Sequence, residues 1–289
     1  RVFPLRVPRP YVARIRPGDA ADPLLRQVLP LGEELEERAG FGSDPVGDLG
    51  SRAGAGVLHK YQGRALLITT GACAIHCRYC FRRHFPYAEE QTRPAQWQQT
   101  LDYLRRHDDI HEIILSGGDP LSLSDQRLAA MVAELETVPH LHTLRLHTRT
   151  PVVLPTRVDR ALLDWLGGTR FNTVVVIHAN HANELDETVA AAMHALRDSG
   201  ATLLNQAVLL RGVNDHETAL TELSRRLFAL GVLPYYLHAL DRVAGAAHFE
   251  VAEARGAELI EALRRTLPGY LVPRLVRETS GAPYKAPLS

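Results

Sequence analysis

The chain contains three cysteines, all within eight positions, arranged as Cys73-x3-Cys77-x2-Cys80. An odd number of thiols in one short segment cannot build a closed disulfide framework. Metal chemistry is the alternative, since soft thiolates suit iron–sulfur clusters or zinc. Three thiolates on one loop can hold three corners of a [4Fe–4S] cube and leave the fourth iron open to a small molecule. The competing reading is a zinc ion completed by His76 or His84. Closed zinc sites carry a second Cys pair or a His pair across a longer loop, and the sequence offers no second knuckle.

A second chemical signal is the scarcity of lysine. Among 33 basic residues only Lys60 and Lys285 are lysines. An arginine stays protonated, whereas a lysine amine can lose its proton and attack a carbonyl. Both lysines are therefore candidates for covalent chemistry, set against the plainer reading that codon bias left two surface lysines behind. A third signal is Gly117-Gly118-Asp119, where bare backbone lets a ligand come close to the main chain; alone, it is a common turn.

These residues need elements to position them. Short apolar runs predict strands at Ala65–Thr70, Glu112–Ser116, Thr143–His147, Thr173–His178, Thr202–Leu209 and Pro234–Leu240, with a final extended stretch at Pro273–Glu278. Amphipathic helices are expected at Pro94–Arg106, Ser124–Leu135, Arg160–Leu166, Glu184–Asp198, Glu217–Leu230 and Val251–Thr266. Six β–α units in series imply an α/β fold with a parallel sheet, doubly wound or curled into a full or partial barrel. In such arrays the loops after the strands form the active face. The cysteines, Gly117-Gly118-Asp119, Arg149, His178, Gln206 and Asp241 all fall at or near that end. Residues 1–60 read as a Pro- and Gly-rich extension packing on the barrel, with short helices near Asp22–Leu29 and Gly32–Ala39. Residues 61–270 read as the core and 271–289 as a C-terminal segment.

Composition excludes some roles. Acidic and basic residues balance at 33 each, which gives no broad attraction to nucleic acid or to an anionic membrane. No stretch approaches a membrane span and no signal-peptide pattern opens the chain, so the cytoplasm is expected. Arg1 in place of a starting Met points to a trimmed chain.

The cysteine spacing, with Tyr79 just before the last Cys, resembles the signature of the radical S-adenosylmethionine (SAM) superfamily. The resemblance narrows to the lysine 2,3-aminomutases. It is carried by Tyr61-Gln-Gly-Arg64, Cys73–Arg83, Ile114–Leu121, Arg149-Thr-Pro-Val-Val-Leu-Pro155, Asn205–Asp215 and Pro234-Tyr-Tyr-Leu237 leading to Asp241. Phe3-Pro-Leu-Arg-Val-Pro8, Asp22–Val28 and Tyr79–Tyr87 are similar to the short bacterial branch associated with elongation factor P. The resemblance implies a radical SAM partial (β/α)6-type barrel and three cofactors: a [4Fe–4S] cluster on Cys73, Cys77 and Cys80, SAM, and pyridoxal 5′-phosphate (PLP).

It also implies residue roles. Lys285 would hold PLP as an internal aldimine, with Arg64 on the phosphate and Tyr61 in the PLP pocket, and Lys60 as a general cation nearby. Gly117, Gly118, Asp119, Arg149, His178 and Gln206 would line the SAM pocket. For His178 the bland reading is a hydrogen-bonded structural histidine. Arg82 would hold the substrate carboxylate in the bidentate manner open to a guanidinium. Asp241 and Glu278 would grip the distal ammonium of L-lysine, although either acid alone reads as a surface salt bridge. Glu278 departs from the long enzymes of the family, which carry Asp there. The expected activity moves the 2-amino group of L-lysine to C3, giving (R)-β-lysine for a separate ligase to attach to elongation factor P. A reductant protein such as flavodoxin or ferredoxin would supply the electron, and a homo-oligomer is compatible with the sequence. The rivals are an aminomutase for another cationic amino acid and a catalytically silent iron–sulfur binding protein.

Overall fold

Ten strands form one sheet in sequence order, in a computed structural model that describes residues 3–54, 56–90 and 94–289. The strands are β1 (Arg52–Gly54), β2 (Val57–Tyr61), β3 (Arg64–Thr70), β4 (Glu112–Gly117), β5 (Thr143–Thr148), β6 (Asn172–Ile177), β7 (Thr202–Val208), β8 (Leu233–His238), β9 (Arg274–Arg277) and β10 (Ala286–Pro287). Pairing from β3 through β9 is parallel throughout, while β1–β2, β2–β3 and β9–β10 are antiparallel.

The strand order never reverses, as it would in a doubly wound sheet. Each crossover lands on the next strand in the same direction; with the right-handed crossovers that parallel strands favour, the helices gather on one face and the other face curls inward. Among the described residues the end strands β1 and β10 do not pair, which leaves the barrel open. The sequence expectation of a partial barrel holds.

Six helices cover the outer face: α1 (Pro94–Arg106), α2 (Asp125–Leu135), α3 (Arg160–Gly168), α4 (Glu187–Asp198), α5 (Glu217–Ala229) and α6 (Glu253–Thr266). Their starts follow local chemistry. The side chains of Ser124, Asp159 and Asp186 each accept a backbone N–H of the first helical turn, which satisfies donors that have no partner within the helix. In α2, Leu128, Met131, Val132 and Leu135 are the buried residues, the spacing that puts one stripe onto the sheet.

Period-two alternation decides what faces inward. In β5, Leu144 and Leu146 join the core while Arg145 and His147 line the barrel cavity. In β8, Leu237 is core while Tyr236 and His238 face the cavity.

The N-terminal part carries single helical turns at Arg9–Val12 and Pro23–Arg26 and a tighter turn at Gly32–Leu35; the last two fall inside the expected helical stretches but are shorter, and the first was not foreseen. Neither the β1–β2 hairpin nor β10 was foreseen. β10 pairs with β9 through Ala286↔Arg277 and Pro287↔Val276 and so fastens the residue just before it, Lys285. Among the described residues no helix is long and apolar enough to cross a membrane.

Candidate active site

A cavity of about 430 Å³ opens at the C-terminal ends of the parallel strands, and every site residue singled out in the sequence lines it. Its size lies within the ordinary range for small-molecule sites.

The cysteine loop leaves β3 and is braced by its neighbours. The N–H groups of Gly118 and Asp119 donate to the carbonyls of Thr70 and Ala72 at 2.7 and 2.8 Å. A Cβ on Gly117 would lie 2.4 Å from the Thr70 carbonyl oxygen, and one on Gly118 would lie 2.3 Å from that of Ala72. Gly117 also has φ +125°, a conformation L side chains rarely adopt. The space left by the missing side chains is taken by the backbone of the cysteine loop, and both glycines also line the cavity.

Asp119, which also lines the cavity, is bound on both oxygens by the protein. One carboxylate oxygen accepts from Leu121 N–H (3.1 Å) and the Thr148 hydroxyl (2.7 Å); the other accepts from the N–H groups of Arg149 (2.8 Å) and Thr150 (3.0 Å). Its four acceptor positions are filled by the protein. It ties the end of β4 to the end of β5 and does not present a free carboxylate.

The histidines of the zinc alternative each have a ring nitrogen engaged by a backbone carbonyl. A ring nitrogen of His76 contacts the Pro4 carbonyl (2.9 Å), and one of His84 contacts that of Ala244 (3.0 Å). Among the described residues no three Cys, His, Asp or Glu side chains converge as one ion would require. The three thiols are free and partly accessible. Burial and then the neighbouring Cys80 push the Cys73 thiol up, and burial and then Cys77 push Cys80 to about 11, so binding iron must displace protons.

Arg149 reaches across to this loop. Its Nη1 donates to Cys77 Sγ (2.7 Å) and to the Tyr79 hydroxyl, and its Nη2 to Gln27 (2.7 Å) and to Glu184 (2.8 Å). Glu184 is wholly buried. Burial alone would raise its carboxyl, but Arg149 holds it below the usual range. Burial first and the Arg149 cation second push His178 down to about 3, so it is neutral beside Tyr79. Tyr79 was noted in the sequence only for its place before Cys80; Gln27, Asn180 and Glu184 were given no role there. The one local signal was His181-x-x-Glu184, which caps a short helical turn.

The opposite side of the cavity carries a chain of charges. Arg82 stacks on Phe81 and Phe85, donates its Nε to Asp48 (2.6 Å) and its Nη1 to the Ser116 hydroxyl (3.2 Å). Its Nη2 has no protein partner among the described residues. Lys60 pairs with Asp48 (2.6 Å) and Glu278 (2.8 Å), and Glu278 also receives Lys285 at 2.6 Å. Burial opposes the charge on Glu278, and the two lysines override it and hold the carboxyl far below its usual range. Asp241 receives no side-chain hydrogen bond from the described residues. Burial, then the charge of Glu278, push it up to about 7.

Several polar groups near Lys285 are left over by the protein. The Tyr61 hydroxyl and the Nε2 atoms of His147 and His238 are buried without a partner among the described residues. The Arg64 guanidinium lies 4.6 Å over the Tyr61 ring and takes no acceptor from the described residues. A lysine amine, an unpaired guanidinium and an orphaned phenol fit an aldehyde cofactor bearing a phosphate.

The comparisons with known proteins agree with this geometry. Residues 67–223 match the family model of the radical SAM superfamily. The chain is 48% identical over 288 residues to the L-lysine 2,3-aminomutase of Escherichia coli K12, covering 100% of this chain and 84% of that protein. It is 46% identical to the L-lysine 2,3-aminomutase of Haemophilus influenzae, covering 99% and 84%. A solved structure, a radical SAM methyltransferase from Sphaerobacter thermophilus, superposes with a TM-score of 0.51 at 18% identity, over 76% of this chain and 68% of that one; it supports the fold alone. The family implies a [4Fe–4S] cluster, SAM and PLP, and the thiols, the cavity and the Lys285 surroundings fit them. The chain belongs to the radical SAM superfamily and, within it, to the L-lysine 2,3-aminomutase family.

Proposed function

We propose that the chain is a PLP-dependent lysine 2,3-aminomutase that moves the 2-amino group of free L-lysine to C3. The observation that carries this reading is the pairing of one nucleophilic lysine with two acids, Asp241 and Glu278, in a cavity whose other side offers Arg82. When bound, the cluster and SAM supply a hydrogen-abstracting radical, and PLP supplies a conjugated system that stabilises unpaired spin beside nitrogen. Cys73, Cys77 and Cys80 hold the cluster, with Arg149 donating to Cys77 Sγ. Arg149, His178, Gln206 and the Gly117–Asp119 segment shape the SAM pocket; for Asp119 the contribution is to fix the β4 and β5 ends.

Lys285 anchors PLP and must leave Glu278 to do so. Arg64 takes the phosphate and Tyr61 supports the ring. Arg82 has Nη2 free for the α-carboxylate, while its Nε and Nη1 are held by Asp48 and Ser116. Asp241 and Glu278 take the distal ammonium. Two carboxylates facing one ligand select a cation and leave a neutral or acidic side chain unpaired. The N-terminal segments similar to the short bacterial branch support (R)-β-lysine as the product, destined for elongation factor P, with a flavodoxin or ferredoxin as electron donor.

The test is anaerobic incubation of the reconstituted enzyme with L-lysine, SAM, PLP and dithionite, followed by chiral analysis. (R)-β-Lysine is expected. SAM cleavage without β-lysine would overturn the substrate assignment, and β-lysine formed at the wild-type rate by Lys285→Ala would overturn the PLP assignment.

A further inference from the structure

Asp48 lies outside every motif discussed above, yet it sits between the two ends of the substrate gap. Its segment is fixed from both sides. The Asp44 carboxylate accepts the N–H groups of Asp48 (2.9 Å) and Leu49 (3.1 Å). Gly47, at φ +66°, is pressed on the tail that carries Lys285, since a Cβ there would fall 2.2 Å from the Ser280 hydroxyl oxygen.

From this position Asp48, 2% exposed, gives one oxygen to each of two cations. Oδ2 accepts Arg82 Nε at 2.6 Å and Oδ1 accepts Lys60 Nζ at 2.6 Å. Burial opposes its charge, and Arg82 and then Lys60 override that and keep it ionised. Lys60 has three protons and three acceptors: Asp48, the Val46 carbonyl (2.9 Å) and Glu278 Oε1 (2.8 Å). It is therefore committed to the protein. The result is an unbroken link, Arg82–Asp48–Lys60–Glu278. Two independent side chains could splay or close to suit a shorter or longer ligand. Linked ones cannot do so without breaking a contact between largely buried charges.

We propose that Asp48 is a positioning residue that sets the separation of the carboxylate and ammonium anchors, and so selects L-lysine over L-ornithine, which is one methylene shorter. This rests on the reading that Arg82 and Glu278 hold the two ends of the substrate.

The experiment uses PLP-loaded enzyme with its cluster but without SAM or reductant. L-Lysine and L-ornithine are titrated in turn and the change in visible absorbance gives each Kd without turnover. The wild type should prefer lysine by roughly tenfold or more, the usual discrimination for one methylene. Asp48→Asn should bind lysine roughly tenfold more weakly and lose most of the preference, with iron and PLP contents at wild-type level. Lys60→Met breaks the link on its other side while leaving the Arg82–Asp48 contact, and should lose the preference too. It decides the matter if Asp48→Asn fails to fold. A wild-type lysine-to-ornithine ratio in Lys60→Met, or an equal loss for both amino acids in Asp48→Asn, would overturn the gauge. Arg82→Gln separates the two levels. If it binds lysine like the wild type, the assignment of Arg82 falls. If it binds weakly while folded Asp48→Asn is unchanged, the gauge alone falls.

Discussion

Asp241 and Glu278 are a pair of acids pushed in opposite directions by one environment. Glu278 is held ionised by two lysines, whereas Asp241 has no cation of its own and feels both burial and the Glu278 charge. A cationic ligand would restore its charge, and binding below pH 7 must then release a proton. Lysine affinity should weaken as pH falls through about 7, and Asp241→Asn should flatten that dependence. Calorimetry in buffers of different ionisation enthalpy reads the proton directly; no release at pH 6 would rule the idea out. The stability sign follows from linkage. The folded pKa of Asp241 lies above its unfolded value, so the wild type carries a penalty that grows as pH rises from about 4 through about 7. Asp241→Asn should therefore melt higher than the wild type at pH 8 and alike at pH 4. The candidate site was legible here because Lys285 is one of two lysines and the two acids fall in recognisable segments. The charge assignment was not, since it depends on neighbours brought together from Asp48 to Lys285.

At the scale of elements, the six β–α units and β9 could be read because each strand is a short apolar run and the first six are each followed by a stretch of helical periodicity. The β1–β2 hairpin could not. Arg52-Ala-Gly has no alternation and draws its place from pairing with β2. β10 is two residues long and contains Pro287, which no local propensity marks as a strand. The glycines after β4 were noticed for the approach they allow to a ligand, and the groups nearest to them in the protein are the carbonyls of Thr70 and Ala72. Gly117→Ala should therefore disturb the cysteine loop before it disturbs any ligand. Strain at positive φ together with a backbone clash predicts a loss of about 3 kcal/mol, or a melting temperature lower by ~10 °C, with reduced iron content after reconstitution. Gly168→Ala is the matched control. It lies at the end of α3 with nothing within 4 Å of the new Cβ and no positive φ, and should leave both readouts unchanged or melt slightly higher.

At the scale of the molecule, the segment before the sheet completes the active end of the barrel. Gln27 bonds Arg149 and Asn180, the Arg6 carbonyl accepts His76 N–H, and Asp48 joins Arg82 to Lys60. None of these contacts has a period or a spacing, so a reading by local pattern sees only a Pro- and Gly-rich extension. Glu34 offers the sharpest test. Its side chain is 5% exposed and bonds both Arg78 and Arg83, the arginines that flank Cys80 on either side, with Arg83 Nη2 at 2.7 Å. Burial alone would raise its carboxyl, and the two guanidiniums hold it below the usual range. Glu34→Gln leaves two largely buried cations short of their counter-ion, which costs about 3–5 kcal/mol. Because the folded pKa is depressed, this contribution is present above the unfolded value of about 4.3 and disappears as pH falls through the folded value. The melting-temperature gap between wild type and Glu34→Gln should be widest near pH 7 and close on acidification below about pH 4. A gap that stayed constant with pH would mean the loss arises from packing of the extension, with the ion pair contributing nothing.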